Sequence, residues 1–224
     1  YAFYYLGDSY RQSQNRIEAL NAFRSASLLD LDSLIQHDAF YQFAILCYEQ
    51  QQPLYDPIQY LSEFIDKYPK SEHVDEVYRC LANIHLNTHN YSEAVRVLEE
   101  SGLLNLDVKK QYQKIAFHKG VQLYNDELYE EAIVYFGKST SVGGSDSVLY
   151  KSYYWKGESY YNLQNYDLAL SAYSELYKKN NQLYSMSLYS QAYCYLNLKG
   201  YSRSINKFQS ALEYHKEHKF AYDI

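Results

Sequence analysis

Small residues and aromatic rings return in a fixed order along this chain, and that order constrains its fold more than any other feature. In the fifth unit it reads Gly157, Tyr160, Tyr166, Ala169 and Tyr173: a small residue, an aromatic three later, a polar turn, then an aromatic, an alanine and a further ring. The first unit supplies Leu6, Gly7, Tyr10, Ala19, Phe23 and Ala26; the third, Tyr78, Leu81, Ala82, Tyr91, Ala94 and Leu98. Gly120, Tyr129, Ala132 and Phe136 make the fourth, and Ala192, Tyr195, Tyr201, Phe208 and Ala211 the sixth. The second is least regular: Phe40, Phe43, Ala44 and Cys47, a longer turn through QQQPLYD, then Pro57, Leu61 and Phe64. With Pro57 set at the second-helix alanine position, alongside Ala19, Ala94, Ala132, Ala169 and Ser204, the units recur 35 to 38 residues apart. Chance apolar periodicity does not hold one phase across so many copies.

Within each unit apolar residues return three, four and seven apart on two successive segments, with Leu163, Tyr166 and Ala169 bridging the turn. That is the pattern of a helical hairpin. Gly7, Ala44, Ala82, Gly120, Gly157 and Ala192 fall where the first helix meets its partner, and the small side chains let the backbones approach. Few breakers, three prolines and eight glycines, agree with an all-α chain. Asp56 followed by Pro57 reads as an N-cap with proline at the first helical position.

The arrangement resembles the tetratricopeptide (TPR) repeat, and the likeness runs from Tyr1 to about His218. It implies an all-α, right-handed superhelical solenoid of six helix-turn-helix repeats, with helix A of each lining the concave face. The expected organisation is one domain over 1–218, with units at about 1–33, 37–70, 75–108, 113–146, 150–183 and 185–218, and 219–224 as a tail or the start of a further helix. TPR repeats usually span 34 residues, so these are longer. The extra residues are expected after helix B, at FIDKYPKS and EESGLLNLD. Tyr68-Pro69 also resembles repeats of bacterial envelope proteins, including lipoproteins that help assemble outer-membrane barrels, which implies a periplasmic or outer-membrane-associated setting ahead of a cytoplasmic one.

Two functions are carried from this resemblance. In related repeats the concave surface comes from set positions of helix A, which here include Tyr41, Tyr48, Asn83, Phe117, Tyr124, Tyr154, Tyr161, Tyr189 and Tyr193. Rigid tyrosine rings bury large area at little entropic cost. The leading expectation is therefore a non-enzymatic scaffold that grips a protein or peptide segment, with Tyr154, Tyr161, Tyr189 and Tyr193 as anchors. The second is a glycan or small-molecule module stacking its ligand on the same rings. Against both stands self-packing, in which curvature makes the rings cover one another. Asp8 and Glu158 also face the groove. Asn87, Asn125, Asn162 and Asn197 are expected as C-terminal caps. Trp155, off the repeat's aromatic position, is expected to pack toward a neighbouring unit.

The remaining chemistry is sparse. Net charge is −6, from 21 Lys and Arg against 27 Asp and Glu, with no basic run, which argues against nucleic acid. No apolar run is long enough to span a bilayer. Cys47, Cys80 and Cys194 form no disulfide framework and no close-spaced metal pattern, and are expected in the core. His85 and His89 share a face but lack the acidic residue of a zinc hydrolase. No phosphate loop, nucleophile elbow or cysteine–histidine signature occurs, and Asp8 and Glu158 lie four units apart, so no catalytic residue, cofactor or metal is expected. Helix A of the first unit starts at Tyr1 with no N-cap, and the tail turns apolar at Phe220, Ala221 and Ile224. That predicts a segment of a longer repeat protein, or an end covered by a partner or a second copy; the alternative is a frayed terminus.

Overall fold

The computed structural model describes residues 1–30, 32–50, 53–102, 105–176 and 182–218. The tail at 219–224, with Phe220, Ala221 and Ile224, lies outside them. Every regular element described is a helix, and the helices alternate as A and B of six hairpins: α1 (Ala2–Gln12) with α2 (Arg16–Ser27), α3 (Ser33–Gln50) with α4 (Pro57–Lys67), α5 (Val74–Asn87) with α6 (Tyr91–Glu100), α7 (Leu106–Asn125) with α8 (Tyr129–Thr140), α9 (Asp146–Asn162) with α10 (Tyr166–Ser174), and α11 (Gln182–Asn197) with α12 (Tyr201–His218). The chain falls into two compact units, Tyr1–Val108 and Lys109–Ile224. In the first, successive helices from α1 to α6 pack in order and α3 also touches α5; in the second, α8 through α12 pack in order and α9 also touches α11. Each unit is thus a stack of TPR-like hairpins, the arrangement of a repeat solenoid.

The packing rule is a ring against a small residue. Phe23, Phe64, Leu98, Phe136 and Tyr173 each lie seven residues past the start of their helix B, and all are fully or almost fully buried. A methyl group added to Gly7 would sit 2.9 Å from Phe23, and one added to Gly120 would sit 2.7 Å from Phe136. The Gly157 position meets the Tyr173 ring in the same way. Where Leu98 takes the ring's place in the repeat, Ala82 takes the glycine's, and both are fully buried. Each such ring stabilises by roughly 1.5–3 kcal/mol through burial.

Two expectations are corrected. Pro57 opens α4, so the position held by Ala19, Ala94, Ala132 and Ala169 is held in the second repeat by Tyr60, which packs edge-on to Phe43 at 4.8 Å. The cause is a six-residue turn between α3 and α4 where the other hairpins have three. Asp56 caps this helix as expected, accepting a hydrogen bond from the Ile58 amide at 2.9 Å. The extra repeat length, in turn, is shared between the linker after helix B, six residues at 68–73, and the following helix A, since α3, α7 and α9 have 18, 20 and 17 residues against 14 for α5.

The three-residue turns share one geometry. Their middle residues, Gln14, His89, Glu127, Gln164 and Lys199, all adopt the left-handed conformation, with φ between 58° and 61°. The next amide reaches back five residues, Asn15 to Tyr10, Asn90 to His85, Leu128 to Leu123, Asn165 to Tyr160 and Gly200 to Tyr195, at 2.8–2.9 Å. These are Schellman closures made without glycine, at a strain of roughly 1–2 kcal/mol each. Gln164→Gly is therefore expected to raise unfolding free energy by about 0.5–1 kcal/mol, the relief of strain outweighing the flexibility given to the unfolded chain. A lower melting temperature for that variant would show that the Gln164 side chain holds the turn by contact.

Cys47, Cys80 and Cys194 are buried and free of disulfides, and burial pushes each thiol up to about 12. Among the described residues no helix is long and apolar enough to cross a membrane.

Candidate functional site

Helix A places some of its aromatic residues where the next repeat's helix A can reach them, and in the first unit this engages Tyr4, Tyr41 and Tyr48. Tyr4 donates to Asp38, and Tyr41 donates to Glu76 at 2.6 Å while its ring stacks on His73 at 3.9 Å. Tyr41 is 9% exposed and Ile45 is buried beside it. Tyr48 is half-buried and accepts from Asn83 Nδ2 at 3.5 Å. Tyr41 is therefore corrected from a groove residue to a clasp between repeats, and Tyr48 and Asn83 meet each other across the same joint.

The second unit repeats the device with asparagine. Asn162 Nδ2 donates to the Tyr124 hydroxyl at 3.1 Å and to the Glu158 carbonyl at 2.9 Å. One repeat on, Asn197 Nδ2 donates to the Tyr161 hydroxyl at 3.3 Å and to the Tyr193 carbonyl at 2.9 Å. The expected capping role of Asn162 and Asn197 is thus replaced: the left-handed residue two positions on closes the helix, and the asparagine ties its own helix A to the preceding one. An amide fits this task because its two N–H groups serve both acceptors at once. Burial is the main cause that pushes the Tyr124 and Tyr161 phenols up, and the asparagine bonds oppose it.

Trp155 packs as expected toward the neighbouring repeat, edge-on to Tyr124 at 4.9 Å. Phe117 is half-buried against Phe136 at 6.0 Å. Tyr154, expected as an anchor, is 8% exposed and lies against Trp155 and Tyr173, so it belongs to the core and not to an open face. Burial first, then the Glu158 carboxylate, push its phenol well above the ordinary tyrosine value.

What stays open in the second unit is a hollow between α9 and α11 lined by Glu158, Tyr161, Tyr189, Ser190 and Tyr193, with a volume of about 270 Å³. Tyr189 is 51% exposed. Its ring meets Tyr193 edge-on at 4.9 Å, their hydroxyls lie 3.1 Å apart, and both rings rest on Phe208 at 5.7 and 5.3 Å. Glu158 Oε1 accepts from the Tyr173 hydroxyl at 2.8 Å and from Ser190 Oγ at 2.7 Å. The hollow therefore brings together Tyr161, Tyr189 and Tyr193, and with them Ser190 and Phe208, which were not anticipated as parts of the site. Phe208 was legible from its place seven residues past the start of its helix B; Ser190 carried no signal.

Among the described residues no group of three or more His, Cys, Asp or Glu is arranged to hold a metal ion. His85 and His89 are separated by the turn, His89 being its left-handed residue and stacking on Tyr91 at 5.9 Å.

Comparison with known proteins agrees with the hairpin reading. A tetratricopeptide-repeat family model matches residues 151–180, the segment carrying α9 and α10. No curated protein matches the chain. Among solved structures, the C-terminal part of a TPR repeat-containing protein from Cytophaga hutchinsonii is 17% identical, with 96% of this chain and 80% of that one covered and a TM-score of 0.48. YrrB, described as a TPR protein with an unusual peptide-binding site, is 14% identical over 81% and 87% of the two chains, TM-score 0.45. The TPR2AB domain of yeast Sti1, in a complex with pHSP90, is 10% identical over 96% and 90%, TM-score 0.42. The chain is an all-α helical-repeat protein built of TPR-like hairpins, one of which, at 151–180, matches the tetratricopeptide-repeat model.

Proposed function

We propose that this chain is a non-enzymatic interaction scaffold that holds a segment of a partner protein on the tyrosine face around the α9/α11 hollow. The observation that carries this reading is the combination of an exposed Tyr189 with half-buried Tyr161 and Tyr193 on one opening, while Tyr41 and Tyr124 are engaged between repeats. Phe208 supports the two rings from behind, so they meet a ligand without first losing rotamer freedom.

Panning a library of random short peptides against the protein checks it. Selected peptides are expected to bind Tyr189→Ala about tenfold more weakly, the usual scale for one interface ring, with helicity and melting temperature unchanged. Equal binding to that variant would move the site elsewhere, and failure to select any peptide would favour the glycan module, tested by titrating a glycan panel. The proposed setting is the bacterial periplasm or outer-membrane surface, on the strength of Tyr68-Pro69, and fractionation of the native cell would decide it.

A further inference from the structure

The carboxylate at the edge of the α9/α11 hollow gives the opening a sign. Glu158 is half-buried, and its hydrogen-bond donors are the neutral hydroxyls of Tyr173 and Ser190, with Tyr154 also within reach. Among the described residues no Lys, Arg or His forms an ion pair with it. Hydroxyl donors solvate the charge without neutralising it. The field reaches well around the site: Glu158 helps push up the Tyr124, Tyr154 and Tyr173 phenols and the Cys194 thiol. A carboxylate has roughly four acceptor sites, so three hydroxyls leave room for one more donor.

Around this carboxylate stand the rings of Tyr161, Tyr189 and Tyr193. A phenol ring carries negative potential on its face, and rings beside a carboxylate form an environment that attracts a cation and stacks a planar one. We infer that the hollow receives an arginine side chain of the partner segment, its guanidinium bonding Glu158 and stacking on the exposed Tyr189 ring. The chain's net charge of −6 favours approach of such a segment. This inference rests on the scaffold reading above and deepens it, since it assigns the chemistry of the residue that the partner must present.

The test uses the α-acetylated amide of arginine, with that of citrulline as a neutral isostere, titrated into protein carrying ¹³C-labelled tyrosine. Ring signals of Tyr189 and Tyr193, assigned with single Tyr→Phe variants, report binding. Arginine is expected to shift them saturably, and citrulline to bind about tenfold or more weakly, because it lacks the charge. Glu158→Gln should bring arginine down to the citrulline level. Gln keeps an acceptor for Tyr173 and Ser190, so the melting curve should not move; if it does, Tyr189→Ala on the exposed ring carries the same comparison. Equal binding of arginine and citrulline, or arginine binding indifferent to Glu158→Gln and Tyr189→Ala, overturns the inference. Lysine amide binding as tightly as arginine overturns the choice of guanidinium. Because this readout needs no peptide, the two readings fail separately. Arginine binding without peptide selection sinks the scaffold alone, and selected peptides without arginine sink the inference alone.

Discussion

Phe136→Ala is expected to lower the unfolding free energy by about 3–5 kcal/mol, because the ring is fully buried and the helices around it cannot collapse into the space. The sharper form of this experiment is an exchange. Gly120→Ala forces a methyl group to within 2.7 Å of the Phe136 ring, where overpacking costs roughly 1–3 kcal/mol against a gain of about 1 kcal/mol in helix propensity. Phe136→Leu alone leaves a gap. Combined, the two substitutions recreate the Ala82 and Leu98 pair of the third repeat, so the double variant should lose less than the sum of the singles, with a coupling of about 1 kcal/mol or more. Calorimetry on all four proteins, with hydrogen exchange of the α7 and α8 amides, would read it. Strict additivity would mean that ring and glycine are not the complementary pair described.

Glu158→Leu is expected to destabilise where Glu158→Gln does not. Tyr173 is fully buried and donates its hydroxyl to Glu158, and Ser190 donates to the same oxygen. Leucine removes the acceptor, at about 1–3 kcal/mol for each buried hydroxyl left without a partner. In a Tyr173→Phe background the cost of Glu158→Leu should shrink by about that amount for one hydroxyl. Equal losses in both backgrounds would show that the carboxylate does not hold the Tyr173 hydroxyl. The pair of predictions separates two tasks of one residue: an acceptor for the core, which glutamine also supplies, and a charge for the opening, which it does not.

Much of the fold was legible because its determinants are local. Gly120 and Phe136, or Ala82 and Leu98, sit at fixed offsets within one hairpin, and helix periodicity converts those offsets into contact. The exception was Pro57, placed three residues out of register. Spacing alone cannot tell a lengthened turn from a lengthened helix; only the six-residue path from Gln50 to Pro57 showed it. The left-handed turn residues escaped because Gln, His, Glu and Lys carry no compositional mark of that conformation, which the closing amide bonds impose.

The groove was legible only as a set of positions. Tyr154, Tyr161 and Tyr189 occupy helix A faces that the repeat treats alike, so sequence assigned them one role. Their fates differ because of what packs beside them: Tyr173 and Trp155 of its own repeat close over Tyr154, Asn197 of the next repeat reaches Tyr161, and Tyr189 stays half-exposed. The sequence by itself determined the hairpins, the ring-on-small-residue packing and the surplus of tyrosine on helix A. Packing within and between repeats decided which of those rings are clasps, which are core and which surround a carboxylate. The clasps join residues 31 to 38 positions apart, whose meeting is set by the angle between packed helices rather than by any local preference of the chain.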